Sequence, residues 1–236
     1  MAEIGKNIIE NITTAMYENS YTVYREYIQN AADSIDKAID MKIMKREDAL
    51  IDILIEFNKR RITINDNAAG IPKSQFYRKL SDIADSQKDP LKEKGFRGIG
   101  RLAGLAYCNK LIFRTTAKGE DVESTMEWDG IKLREILGDS TKHPSASELI
   151  DSIITCSEKD IAKELHFFEV IMEEVILESD DLIDEHEVLE YLQAVAPVPY
   201  ANTFMFRSKI YEYVKAEGLI IDEYDIQLNG NPVFKP

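Results

Sequence analysis

Tyr24-Arg-Glu-Tyr-Ile-Gln-Asn-Ala-Ala-Asp33 is the stretch whose reading decides the rest of this chain. Tyr24, Tyr27, Ile28, Ala31, Ile35, Ala38 and Ile39 recur at helical spacing, which predicts one helix over residues 18–40. Offsets of four and seven put Glu26, Asn30 and Asp33 on a single face of that helix. An asparagine amide oxygen is a hard ligand of the kind magnesium takes beside water and phosphate oxygens. A carboxylate one turn away can orient or deprotonate an attacking water. The alternative is a solvated polar face. Small Ala31 and Ala32 and the apolar residues bordering the stripe favour packing under a pocket instead.

Gly95-Phe-Arg-Gly-Ile-Gly-Arg-Leu-Ala-Gly104 is the second informative stretch. Gly95, Gly98 and Gly100 are spaced G-x-x-G-x-G, which is neither the dinucleotide fingerprint nor a Walker loop. Glycines let backbone N–H groups turn toward a phosphate with no Cβ in the way. A helix expected over Leu102–Tyr107 would add free N–H groups and the positive end of its dipole. Arg97 and Arg101 add charge. A glycine-rich packing turn is the alternative. Between the two stretches, Asp66 ends a strand, where a carboxylate can accept the exocyclic amine of adenine or serve as an ordinary turn residue. Gly70 after it permits close approach of a nucleotide to the backbone, or simply makes a turn.

Composition bounds the rest. The chain has 236 residues, 44% hydrophobic and 31% charged, enough for one large domain with a real core. A net charge of −14 argues against nucleic acid as a main partner of this segment. Cys108 and Cys156 are too few and too far apart for a disulfide framework. The N-terminus lacks a signal-peptide pattern, and no apolar run approaches the ~18 residues of a membrane span, so a cytoplasmic location is expected.

Along the chain, residues 51–57 and 61–65 read as a hairpin turning at Lys59-Arg60, with a loop over Asp66–Pro72. Residues 74–94 are polar and read as a mobile surface segment. Residues 110–116 and 122–128 read as two strands joined at Lys118-Gly119. Helical pieces with loops are expected over 130–165, a strand over 167–176, and an acidic helix over 180–196 stopped by Pro197 and Pro199. A helix over 207–217 closes at Gly218. Tyr224–Leu228 and the turn Asn229-Gly-Asn-Pro232 are expected to open a further unit over 219–236, cut short at Pro236.

Three motifs in order, over roughly residues 20–175, resemble the GHKL ATPase superfamily of gyrase, heat-shock-protein-90 chaperones, histidine kinases and MutL. Arg25–Asp33 is similar to the helical Asn-box, Asp66-Asn-Ala-Ala-Gly-Ile71 to the D-x-G-x-G box, and Gly95–Gly100 to the second glycine box. The chaperone- or MutL/MORC-like branch fits best, because Glu26 is present. The resemblance implies an α/β (α+β) two-layer sandwich, a mixed, mainly antiparallel sheet covered by helices, over residues 1–218. It implies slow hydrolysis of Mg-ATP to ADP and phosphate, with magnesium as cofactor, and an ATP-dependent homodimer. Residues 1–17 would be an exchanged arm and 72–94 the ATP lid.

The same resemblance implies roles for residues. Glu26 would be the general base, Asn30 the magnesium ligand, and Asp33 its support, with Lys37 reaching the phosphates. Asp66 would bind the adenine amine directly and through water, flanked by Gly70 and Ile71. Gly95, Phe96, Arg97, Gly98, Ile99, Gly100 and Arg101 would wrap the phosphates. Lys88, in Ser86-Gln-Lys88, would be a lid contact or a solvated lysine. The chain departs from the pattern at three places. Ala68 replaces the first glycine of its box, restricting φ and adding a methyl beside the nucleotide. His166 stands where many relatives carry an adenine-supporting Thr. Arg101 stands where chaperones carry an aromatic residue. Two other readings follow: a nucleotide-binding interaction module without turnover, motivated by Ala68, and a histidine-kinase-type phosphotransfer domain.

Overall fold

The computed structural model describes residues 19–81, 100–139, 141 and 144–236. The arm over 1–17, the lid positions beyond Ser81 including Lys88, and the glycine-box positions Gly95, Phe96, Arg97, Gly98 and Ile99 lie outside the described residues.

Helix α1 (Thr22–Asp40) buries Val23, Tyr24, Tyr27, Ile28, Ala31, Ala32, Ile35 and Ala38. That is the expected apolar stripe. The chain then enters a hairpin of β1 (Leu50–Glu56) and β2 (Arg61–Asp66), paired antiparallel with Ile53 opposite Ile64. Strict alternation decides which side chains enter the core. Ile51, Ile53 and Ile55 point inward from β1, as do Ile62, Ile64 and Asp66 from β2. Arg60, left-handed at φ 50°, closes the turn between them.

Lys73–Ser81 forms helix α2, with Phe76 and Leu80 buried. The first part of the segment expected to be a mobile surface loop is therefore a packed element. Its apolar residues are few, but their four-residue spacing puts them on one face. The segment after the second glycine box, where a helix was expected over Leu102–Tyr107, is a 3-10 helix over Gly100–Ala106. Strands β3 (Cys108–Thr116) and β4 (Val122–Asp129) follow as a second hairpin. Helices α3 (Gly130–Gly138) and α4 (Ala146–Ile153) come next, α4 starting with a Ser145/Glu148 capping box. Strand β5 (Ile154–Asp160) was not expected. It is an edge strand with almost wholly exposed side chains, so it carries no apolar alternation to read.

Strand β6 (Phe167–Val175) runs between β2 and β3. The acidic helix expected over 180–196 is two elements, a 3-10 stretch over Leu177–Ile183 and α5 (Glu185–Val195). Asp184 separates them because its carboxylate caps α5, accepting from the amides of His186 and Glu187. Helix α6 (Arg207–Ala216) follows, and then β7 (Asp225–Leu228) and β8 (Asn231–Pro232).

Among the described residues the strands make one eight-stranded sheet in the order β5-β4-β3-β6-β2-β1-β7-β8. Neighbours are antiparallel except β1 and β7, which run parallel. The end of the chain, expected to open a separate unit, thus lies on the edge of this sheet. Parallel pairing with β1 is a long-range contact that local turn chemistry cannot announce. The helices cover the face carrying Ile51, Ile62, Leu111, Phe113, Met126 and Met172. The opposite face carries ion pairs such as Arg114 with Glu123 and Glu169, and Arg61 with Glu173.

Candidate nucleotide site

Asp66 is a carboxylate at a core position. It continues the inward repeat of Ile62 and Ile64 and is 2% exposed. Burial pushes its carboxyl up to about 7, against one hydrogen bond from the Ala68 amide at 3.1 Å that favours the ionised form. Asp66 lines a cavity of ≈170 Å³ with Asn30, Ser34, Ile71, Lys79, Leu80, Arg101 and Phe168. A larger cleft of ≈420 Å³ shares Asn30, Ser34, Ile71 and Lys79 with it and adds Asp33, Lys37, Gly70 and Lys118. The two adjoin and together have the scale of a small-molecule site.

The loop after Asp66 is pinned at several backbone atoms. The Ile71 amide donates to Thr115 Oγ1 at 2.9 Å, and that hydroxyl donates to the Phe167 carbonyl at 2.6 Å. His166 Nδ1 lies 2.7 Å from the Ala68 carbonyl, which only accepts, so Nδ1 carries the proton. Gly70 sits at φ 70°, and a Cβ there would fall 2.0 Å from the Thr116 carbonyl oxygen. This loop therefore needs glycine at position 70. Ala68 has no positive φ, and its methyl is fully buried in the core rather than lining either cavity. The strain that its side chain suggested is absent from the described loop.

Helix α1 supplies the other wall. Asn30 and Asp33, two of the three residues that the spacing puts on one helical face, line the larger cleft, and Lys37 lines it one turn further on. The Asp33 carboxylate accepts from Gln29 Nε2 at 3.2 Å and is 9% exposed. Glu26 lines neither cavity. It lies one turn nearer the N-terminus, against the 3-10 turn that leaves the glycine box. A Cβ on Gly100 would fall 2.1 Å from Glu26 Oε2. Two motifs far apart in the chain thus meet at the Glu26 carboxylate. Arg101 reaches the small cavity from the same turn.

Ser34, Lys79, Leu80, Phe168 and Thr115 were not singled out from the sequence. Thr115 did leave a signal, being a hydroxyl on the inward repeat Leu111, Phe113, Thr115. Lys79 and Leu80 become visible only once α2 is recognised as a helix.

A model of the family described as "Histidine kinase-, DNA gyrase B-, and HSP90-like ATPase" matches residues 17–159. The chain belongs to that family, with the mixed, mainly antiparallel sheet and helical layer that the motifs imply. It is 28% identical to "Chaperone protein HtpG" of Coxiella burnetii over 142 residues, which is 52% of this chain and 22% of that one. It is 26% identical to "Chaperone protein HtpG" of Escherichia coli (strain K12) over 163 residues, covering 61% of this chain and 26% of the relative. The chain therefore spans about a quarter of the length of the curated relatives it matches. Among the described residues no helix is long and apolar enough to cross a membrane.

Proposed function

We propose that this chain is an ATP-binding domain that binds Mg-ATP and hydrolyses it slowly to ADP and phosphate. One observation carries the reading: a buried carboxylate, Asp66, faces a cavity walled by the Asn30 helix. A desolvated carboxylate with a single amide donor among the described residues is poorly satisfied. An exocyclic amine supplies the missing donor, and the apolar Ile71, Leu80 and Phe168 are suited to flank a base. Asn30, Asp33 and Lys37, which line the adjoining larger cleft, would then take the phosphate side. Glu26 is the group to orient and deprotonate the attacking water.

Asn30 would hold the magnesium. Among the described residues no group of three or more His, Cys, Asp or Glu is placed to bind a metal by itself. A single amide oxygen such as that of Asn30 fits an ion that arrives with phosphate oxygens and water, as magnesium does. When bound, it neutralises charge developing on the phosphates. Closure of segment 72–94 over the nucleotide, ATP-dependent pairing of two copies and a chaperone-like or MutL/MORC-like role in the cytoplasm belong to the same proposal. The HtpG relatives support its chaperone branch.

Calorimetry with Mg-ATP tests the reading. Wild-type protein is expected to bind at micromolar to millimolar ATP, and Asp66→Asn to lose that binding. No heat at millimolar ATP would falsify it.

A further inference from the structure

We infer that Tyr27 is a positioning residue whose hydroxyl ties the glycine-box turn to the helix carrying Glu26. The inference rests on reading Glu26 as the group that handles the attacking water. Tyr27 follows Glu26 directly and is 2% exposed. Its hydroxyl donates to the Arg101 carbonyl at 3.0 Å and accepts from the Gly104 amide at 2.9 Å. One oxygen thus holds two backbone atoms of the 3-10 turn, a turn whose own hydrogen bonds are of poor geometry. A second tie comes from the Cys108 thiol, which donates to the Gly104 carbonyl at 3.1 Å.

Gly104 belongs to this arrangement. A Cβ there would lie 2.6 Å from the Tyr27 hydroxyl and 3.1 Å from Met172 Cγ and Sδ. The methionine can yield, whereas the hydroxyl is fixed by two hydrogen bonds. The consequence reaches Gly100, four residues back on the same turn, which packs against the Glu26 carboxylate. Glu26 leaves the helix beside Tyr27, and Gly100 leaves the turn that Tyr27 holds. The spacing between the Glu26 carboxylate and Gly100 is therefore held in part by this hydroxyl. Sub-ångström placement of a catalytic carboxylate matters to the rate more than to ground-state binding.

Tyr27→Phe keeps the buried ring and removes only this oxygen. Single-turnover hydrolysis at saturating Mg-ATP is expected to slow at least about tenfold, with the ATP Kd changed less than about threefold. An unchanged rate overturns the inference. So does a rate and affinity that fall together, which marks a merely structural role. Gly104→Ala and the double variant supply a second measurement, read by thermal unfolding. Alanine at 104 is expected to lower the midpoint markedly in the wild-type background and much less in the Tyr27→Phe background. Additive losses overturn the clamp. Wild-type protein without turnover would sink the proposed function instead, and the unfolding cycle would still decide whether the hydroxyl clamps the turn.

Discussion

Replacing Asp66 by Asn is expected to stabilise the nucleotide-free protein at alkaline pH while abolishing its ligand binding. The carboxyl lies inside the sheet at 2% exposure, and its ionisation rises from the usual 3.8 to about 7 because burial disfavours the anion. The folded state therefore keeps a proton that the unfolded chain has already released. The associated stability is complete below 3.8 and is lost as pH climbs through about 7. Between pH 5 and pH 8 the folded protein passes through about 2 pH units of this loss, at ~1.4 kcal/mol each, so ~3 kcal/mol disappears. Asn carries no such proton and keeps an oxygen for the Ala68 amide. Urea unfolding of both proteins at pH 5 and pH 8 measures the difference directly. Wild type should lose ~3 kcal/mol relative to Asp66→Asn over that interval. Parallel pH profiles for the two would refute the claim that Asp66 is desolvated, and with it the physical basis for its recognition of an amine.

Four further outcomes follow from the same geometry. Wild-type affinity for ATP should weaken as pH falls below about 7, by up to about tenfold per pH unit, because the amine needs the ionised Asp66; calorimetry across pH 5.5–8 reads it, taking the range as roughly bracketing the transition. Glu26→Gln should lower turnover by about 10²–10⁴-fold while ATP binding persists, in a phosphate-release assay. Gly70→Ala should destabilise by several kcal/mol, on the order of 3 or more, since its Cβ meets the Thr116 carbonyl at 2.0 Å and φ is 70°; thermal denaturation reports it. Thr115→Val removes the hydroxyl between Ile71 and Phe167, and chemical denaturation should show a loss of about 1–3 kcal/mol with weaker ATP binding.

Much of the site was readable in one dimension because its parts are local. Asn30, Asp33 and Lys37 sit on one helix, so their common side toward the larger cleft follows from the 3.6-residue period, whereas Glu26 one turn earlier meets Gly100 instead. The departure at Ala68 was visible too, but its meaning was not. Whether a methyl strains a loop depends on φ and on what surrounds it. The structure puts the positive φ on Gly70 and the methyl in the core. Edge strand β5 and helix α2 escaped for opposite reasons, the first having no buried face and the second only two apolar anchors.

From the order of residues alone came the amphipathic helix, the two hairpins, the punctuated loop after Asp66 and the family that these motifs together resemble. Each rests on contacts between near neighbours, where side-chain spacing dictates geometry. Only the folded chain decided that the Asp66 carboxylate is dry, because dryness is made by β6, α1 and α2 closing around it. Only the folded chain brought Gly100 onto Glu26 and the Tyr27 hydroxyl onto the Arg101 carbonyl and Gly104 amide, and carried β7 back beside β1. Those are contacts between segments far apart in the chain, and no local periodicity encodes them.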